Sequence, residues 1–86
     1  MEQLKVSAKS NPKKVAGAIA GSTKEEGQVK VQAIGAGAVN QAIKAISIAR
    51  SFVRKEKTDL ICVPSLIDVP VDGGQITAVE LLVERR

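Results

Sequence analysis

Gln28-Val29-Lys30-Val31-Gln32-Ala33-Ile34-Gly35-Ala36-Gly37-Ala38-Val39-Asn40-Gln41-Ala42 changes its hydrophobic period halfway along. Val29, Val31 and Ala33 alternate with Gln28, Lys30 and Gln32, the two-residue repeat of a strand with one buried face over 28–34. After the Gly35-Ala36-Gly37 break, Ala38, Ala42, Ala45 and Ala49 recur at helical spacing. Val39, Ile43, Ile46 and Val53 lie beside that stripe, and Asn40, Lys44, Ser47, Ser51 and Arg54 form the polar side. A helix is therefore expected from Ala38 to about Lys55. A strand that turns tightly into a long helix is half of a βαβ unit, and the rest of the chain decides what it joins.

Upstream, Leu4, Val6 and Ala8 alternate with Gln3, Lys5 and Ser7, a strand over 3–8. Asn11 reads as an N-cap and Pro12 as the first residue of a helix running to about Glu26. Gly27 suits its left-handed end. Ala16, Gly17, Ala20 and Gly21 form a small-residue stripe. Gly inside a helix costs roughly 1 kcal/mol relative to Ala, so the pair suggests close approach to another backbone. Downstream, Asp59–Val71 is rich in β-formers, and Asp72-Gly73-Gly74 signals a hairpin. Ile76–Glu84 closes the chain with Thr77, Val79, Leu81 and Val83 on one face. Pro64 and Pro70 lack N–H donors, so their strand is expected at a sheet edge with a break near Pro64.

The order is βαβαββ over one domain, residues 1–86. The first two strands should be parallel through a right-handed crossover. Lys5, Lys30, Gln32 and Glu80 point away from the core side, so both helices should cover one face and leave the other wet. The expected fold is an α/β (α+β) two-layer sandwich with a mixed four-stranded sheet.

Composition removes classes of function. The 86 residues hold no His, Trp or Tyr, with one Phe and one Cys. A His-based metal site, a Ser-His-Asp or Cys-His pair and an internal disulfide are excluded. Cys62 in an apolar strand reads as a buried structural thiol. Asp68 and Asp72 lie on an exposed hairpin that offers no pocket for acid–base work. No enzyme activity, cofactor or metal is expected. No run of about 18 apolar residues would span a membrane, and Met1-Glu2-Gln3-Leu4-Lys5 lacks a signal-peptide core, so a cytoplasmic location is expected. With almost no aromatics, the core must come from Val, Ile, Leu and Ala, and self-association would recover burial.

Lys5-Val6-Ser7-Ala8-Lys9-Ser10, Val15-Ala16-Gly17-Ala18-Ile19-Ala20-Gly21, the 32–42 segment and Asp59-Leu60-Ile61-Cys62-Val63-Pro64 closely resemble the stage V sporulation protein S family. Gly35-Ala36-Gly37-Ala38-x-Asn40-Gln41 is the most specific part. That family is counted among the Alba-like proteins, whose element order agrees with the one read from periodicity. The resemblance implies a regulator of sporulation and cell development, dimeric or larger, with nucleic-acid binding implied by the Alba-like fold. Lys9 matches the basic loop of Alba proteins, extended by Lys13 and Lys14. The arginines that flank a Gly before their second helix are replaced here by Gly35-Ala36-Gly37. Their basic hairpin is not matched either, since residues 64–76 hold Asp68 and Asp72 and no Lys or Arg.

The net charge of +4 is unevenly spread. Residues 1–14 carry +3, residues 38–58 carry +4 and residues 59–84 carry −5. The candidate contact set for an RNA or DNA backbone is Lys9, Lys13, Lys14, Gly35, Gly37, Asn40, Gln41 and Lys44. Without aromatic platforms, base stacking is not expected. Leu66, Ile67, Val69, Val71 and Ile76 are the candidate homo-oligomer interface, for a dimer or tetramer. The alternatives are an oligomeric protein-interaction module without nucleic acid, and an anion or nucleotide sensor at Gly35–Gly37.

Overall fold

The computed structural model describes residues 1–86. Its elements are β1 (Gln3–Val6), α1 (Pro12–Glu26), β2 (Gln28–Ala33), α2 (Ala36–Arg54), β3 (Leu60–Val71) and β4 (Gly74–Arg85). They form a four-stranded mixed sheet in the order β1-β2-β4-β3. β1 and β2 are parallel, and the other pairs are antiparallel. The α+β arrangement read from the sequence is the one observed.

α1 starts where Asn11 Oδ1 accepts the N–H groups of Lys13 and Lys14, at 2.9 and 3.3 Å. It ends at Gly27, whose φ of 81° lets its N–H reach Thr23 O at 2.8 Å. α2 begins two residues earlier than expected because Gly35 (φ 89°, ψ 157°) takes the capping position, in a backbone region open essentially only to glycine. β1 is shorter than expected. Ser10 donates its N–H to Ser7 O, and Ser10 Oγ accepts the Ser7 N–H, so a turn replaces residues 7 and 8 and Ala8 is exposed.

The core lies between the helices and one sheet face: Val6, Ala16, Ile19, Val29, Val31, Ala42, Ala45, Ala49, Leu81 and Val83 are buried. Alanines bring the helices close. Gly17 and Gly21 are exposed, and a Cβ on either would meet nothing within 4 Å. The close approach read from them falls instead at Gly37, where a Cβ would stand 3.0 Å from Ala8 Cβ. Ile43, expected beside the buried stripe, is 46% exposed, and Thr77 is exposed.

β3 is an edge strand, as expected, but it runs unbroken through Pro64. Val71 and Gly74 close the hairpin across a two-residue turn, so odd-numbered residues of β3 bond to β4 and even-numbered ones turn their N–H groups outward. Both prolines are even-numbered, and their missing donors cost the ladder nothing.

The far face of the sheet is not uniformly wet. Register and side-chain alternation place Gln3, Lys5, Lys30 and Gln32 there on β1 and β2. On β3 and β4 the same face carries Ile61, Val63, Ile67, Val69, Val71, Ile76 and Leu82, interrupted by the Ser65–Glu80 pair and by Glu84. The polar expectation rested on too few positions of the second pair. Gln32 is itself buried, its Oε1 accepting from Gln3 Nε2 at 2.9 Å.

Candidate nucleic-acid interface

The β1–α1 loop, the first turn of α1 and the middle of α2 meet around an open groove of about 710 Å³. Its walls are Lys9, Asn11, Pro12, Lys13, Lys44 and Ile48. Two contacts hold the segments in place. Gln41 Nε2 donates to Ser10 O at 2.9 Å, tying α2 to the loop, and Gly37 lets the start of α2 approach Ala8. Asn11 is committed to capping, which orients the first turn of α1 and with it Lys13.

None of Lys9, Lys13, Lys14 and Lys44 has a carboxylate within ion-pair distance. Lys24, Lys30, Arg50 and Arg85 differ. Arg50 grips Asp59 with two bonds, Nε–Oδ1 at 2.8 Å and NH2–Oδ2 at 3.0 Å. Those bonds, with the Leu60 N–H on Oδ1, hold the Asp59 carboxyl well below the usual carboxylate range. Arg85 donates to Thr23 O at 3.0 Å, and Lys24 lies 3.4 Å from Glu56. The positive segment 38–58 is thus partly neutralised inside the fold, and Lys44 is its charge at the groove.

The structure brings Lys9, Lys13 and Lys44 to one groove, with Gly37 and Gln41 beside it. Gln41 is occupied by Ser10 and acts here as a strut. Gly35 sets the turn before α2, and Asn40 is exposed. Lys14 opens on a second, smaller groove of about 210 Å³ with Leu4, Lys5, Val6, Val15 and Ala18. Asn11 and Ile48 were missed as wall residues. Asn11 carried a complete explanation as a cap, while Ile48 stands four residues after Lys44, on the same helix face, and could have been found from that spacing.

The hairpin candidates are split between two faces. Ile67, Val69, Val71 and Ile76 lie on the far face of the sheet. Leu66, opposite Val79, lies on the helix-side face and is 74% exposed. Cys62 is half-buried, and desolvation pushes its thiol up, away from the reactive thiolate. No helix is long and apolar enough to cross a membrane, and no group of three or more Cys or acidic residues could hold a metal ion.

Two helices on one side of a mixed sheet in βαβαββ order, with a cationic groove at their junction, define a two-layer α+β protein. The family model for Stage V sporulation protein S (SpoVS) matches residues 2–86, and the chain belongs to that family. Membership gives it a sporulation-related role.

Proposed function

We propose that this chain is a non-enzymatic, Alba-like regulator that acts by holding a nucleic-acid backbone in the Lys9–Lys13–Lys44 groove. The observation that carries the reading is the convergence of three unpaired lysines from three chain segments on one groove. Ammonium groups without internal partners are free to displace counterions from phosphates. Recognition goes through the backbone, because no Trp or Tyr offers a stacking surface. The hairpin, with Asp68 and Asp72 near its tip, stays off the phosphates. Its far face instead joins two copies of the chain through the adjacent aliphatic residues Ile67, Val69, Val71 and Ile76, which a second copy would cover.

The test is binding of short RNA and DNA duplexes by the full chain and by a variant with Lys9, Lys13 and Lys44 all changed to Gln. The native chain should bind with a steep salt dependence. The variant should lose about three units from the slope of log K against log salt, near 0.9 for each phosphate contact in B-DNA. Equal affinity of the two proteins at low salt would overturn the assignment. If neither binds, the protein-interaction reading carried by the apolar far face takes its place.

A further inference from the structure

Both outer strands of the sheet present a free edge, and the two edges are unlike. On β1, Lys30 N–H donates to Glu2 O at 3.1 Å, which turns residues 2, 4 and 6 toward β2. The N–H and C=O groups of Gln3 and Lys5 therefore point outward. Beyond them the Ser7 N–H is taken by Ser10 Oγ, so the free edge is two residues long. Beside it, between β1 and α1, lies the second groove, with an apolar floor of Leu4, Val6, Val15 and Ala18 and with Lys5 and Lys14 at its walls. On β3, the outward positions are even-numbered, and Pro64 and Pro70 remove the donors at either end. The donors left between them are those of Leu66 and Asp68.

We propose that the β1 edge and its groove receive the Leu66–Asp68 segment of a second copy of this chain, added as a parallel strand. With Leu4 aligned to Leu66, the Gln3 N–H meets Pro64 O and the Leu66 N–H meets Gln3 O. The Lys5 N–H then meets Leu66 O, and the Asp68 N–H meets Lys5 O. All four bonds form, and neither proline is asked for a donor. A shift of two residues either way sets Pro64 or Pro70 against a β1 carbonyl and loses a bond. The prolines thus select one register.

In that register the helix-side faces of the two copies coincide. Leu66 enters the groove over Leu4, and Asp68 comes alongside Val6 within reach of Lys14. Charge agrees with geometry. Lys5 and Lys14 have no carboxylate partner in their own chain, and Asp68 and Asp72 have no cationic one. The contact joins unlike edges, so it is heterologous and leaves a β1 edge free on one copy and a β3 edge free on the other. It is independent of the nucleic-acid reading and of pairing through the far face.

The test uses two full-length chains with Cys62 changed to Ser, one carrying Lys5→Cys and the other, marked by a longer tag, carrying Ile67→Cys. These positions are aligned neighbours in the proposed register, at strand spacing within disulfide reach. Mild oxidation of the mixture should give the mixed disulfide, at least about tenfold above that from Lys30→Cys with Ile67→Cys, one strand further in. The yield should persist with Ile76→Asp in both chains, which removes far-face pairing. It should fall with Asp68→Lys in the Ile67→Cys chain and return when the Lys5→Cys chain also carries Lys14→Asp. Equal yields from the Lys5 and Lys30 chains would overturn the proposal. Failure of the charge reversal to restore the yield would overturn the Lys14–Asp68 contact and the register built on it.

Discussion

The body around α1 and α2 and the β3–β4 hairpin draw on the same aliphatic residues and spend them in opposite directions. In the body, Ile19, Val29 and Val31 are fully enclosed, and helices rich in alanine close over them. In the hairpin, Val63, Leu66, Val71 and Ile76 stand in solvent although their strands are as regular as any in the sheet. The charges divide the same way, with unpaired lysines on the body and unpaired Asp68 and Asp72 near the hairpin tip. Burial in the body stabilises the fold of one chain. The hairpin's apolar residues contribute little until another surface covers them, and the comparison predicts that equivalent substitutions in the two regions have different readouts.

The sharpest contrast is between Ile19→Ala and Leu66→Ala. Ile19 is fully buried in the core, and removing its side chain should cost about 2–5 kcal/mol of unfolding free energy. Leu66 is largely exposed, and the same truncation should stay within about 0.5 kcal/mol. Urea denaturation of the two variants reads both. A comparable loss from Leu66→Ala in dilute protein would erase the distinction between body and hairpin.

Next in size is Gly35→Ala. With φ at 89° and ψ at 157°, Gly35 occupies a region that costs a residue with a side chain about 1–3 kcal/mol. No neighbour would meet the new Cβ, so the loss should come from backbone strain alone. The turn sets the start of α2 and the level of Gly37 against Ala8, so thermal melting should show the loss while Lys9 and Lys44 remain in place chemically. Asn11→Ala should cost about 1 kcal/mol by freeing the N–H groups of Lys13 and Lys14.

Much of this was legible in the residues, and what was not has physical causes. Asn11, Pro12 and Gly27 act through local backbone chemistry, so a single sequence reveals them. Element order followed from the switches of hydrophobic period along the chain, and the parallel start from the helix that joins the first two strands. The far face misled because much of β3 is apolar on both sides, and the reading took polarity from Lys5, Lys30, Gln32 and Glu80 alone. Gly17 and Gly21 misled because spacing gives a stripe but not which neighbour it faces. The groove depended on contacts between segments far apart in the chain, such as Gln41 with Ser10, that no periodicity encodes. The pairing of Arg50 with Asp59 lay hidden for the same reason, and it changed which charges are free.

That pair provides a smaller test, through pH. The bonds from Arg50 and the Leu60 N–H depress the folded-state pKa of Asp59, so the folded state binds a proton there less readily than the unfolded chain. The resulting stability is fully present above the unfolded carboxylate value of about 3.9. It is lost as pH falls below that value toward the depressed one. Asp59→Asn should therefore flatten the fall of stability with acid below about pH 4 relative to the native chain. Identical acid limbs for the two proteins would show that the fork between α2 and β3 contributes nothing measurable, as many solvent-facing ion pairs do.

A small expected effect on folding is the one that says most about the hairpin. Val69 lies on the far face, half-buried among Ile67, Val71 and Ile76 of the same hairpin. Val69→Asp places a charge on a surface that is already solvated at its edges, so the unfolding free energy of dilute protein should move by no more than about 0.5–1 kcal/mol. If that face is where two copies meet, the same substitution buries an unpaired carboxylate in the contact, and association should weaken far more than folding does. Sedimentation at several protein concentrations separates the two. An apparent mass that rises with concentration in the native chain and stays flat for Val69→Asp assigns the apolar face to association. A native chain that is monomeric throughout, with Val69→Asp strongly destabilised, would mean that the hairpin is held by its own chain after all, and the contrast between body and hairpin would collapse into one core.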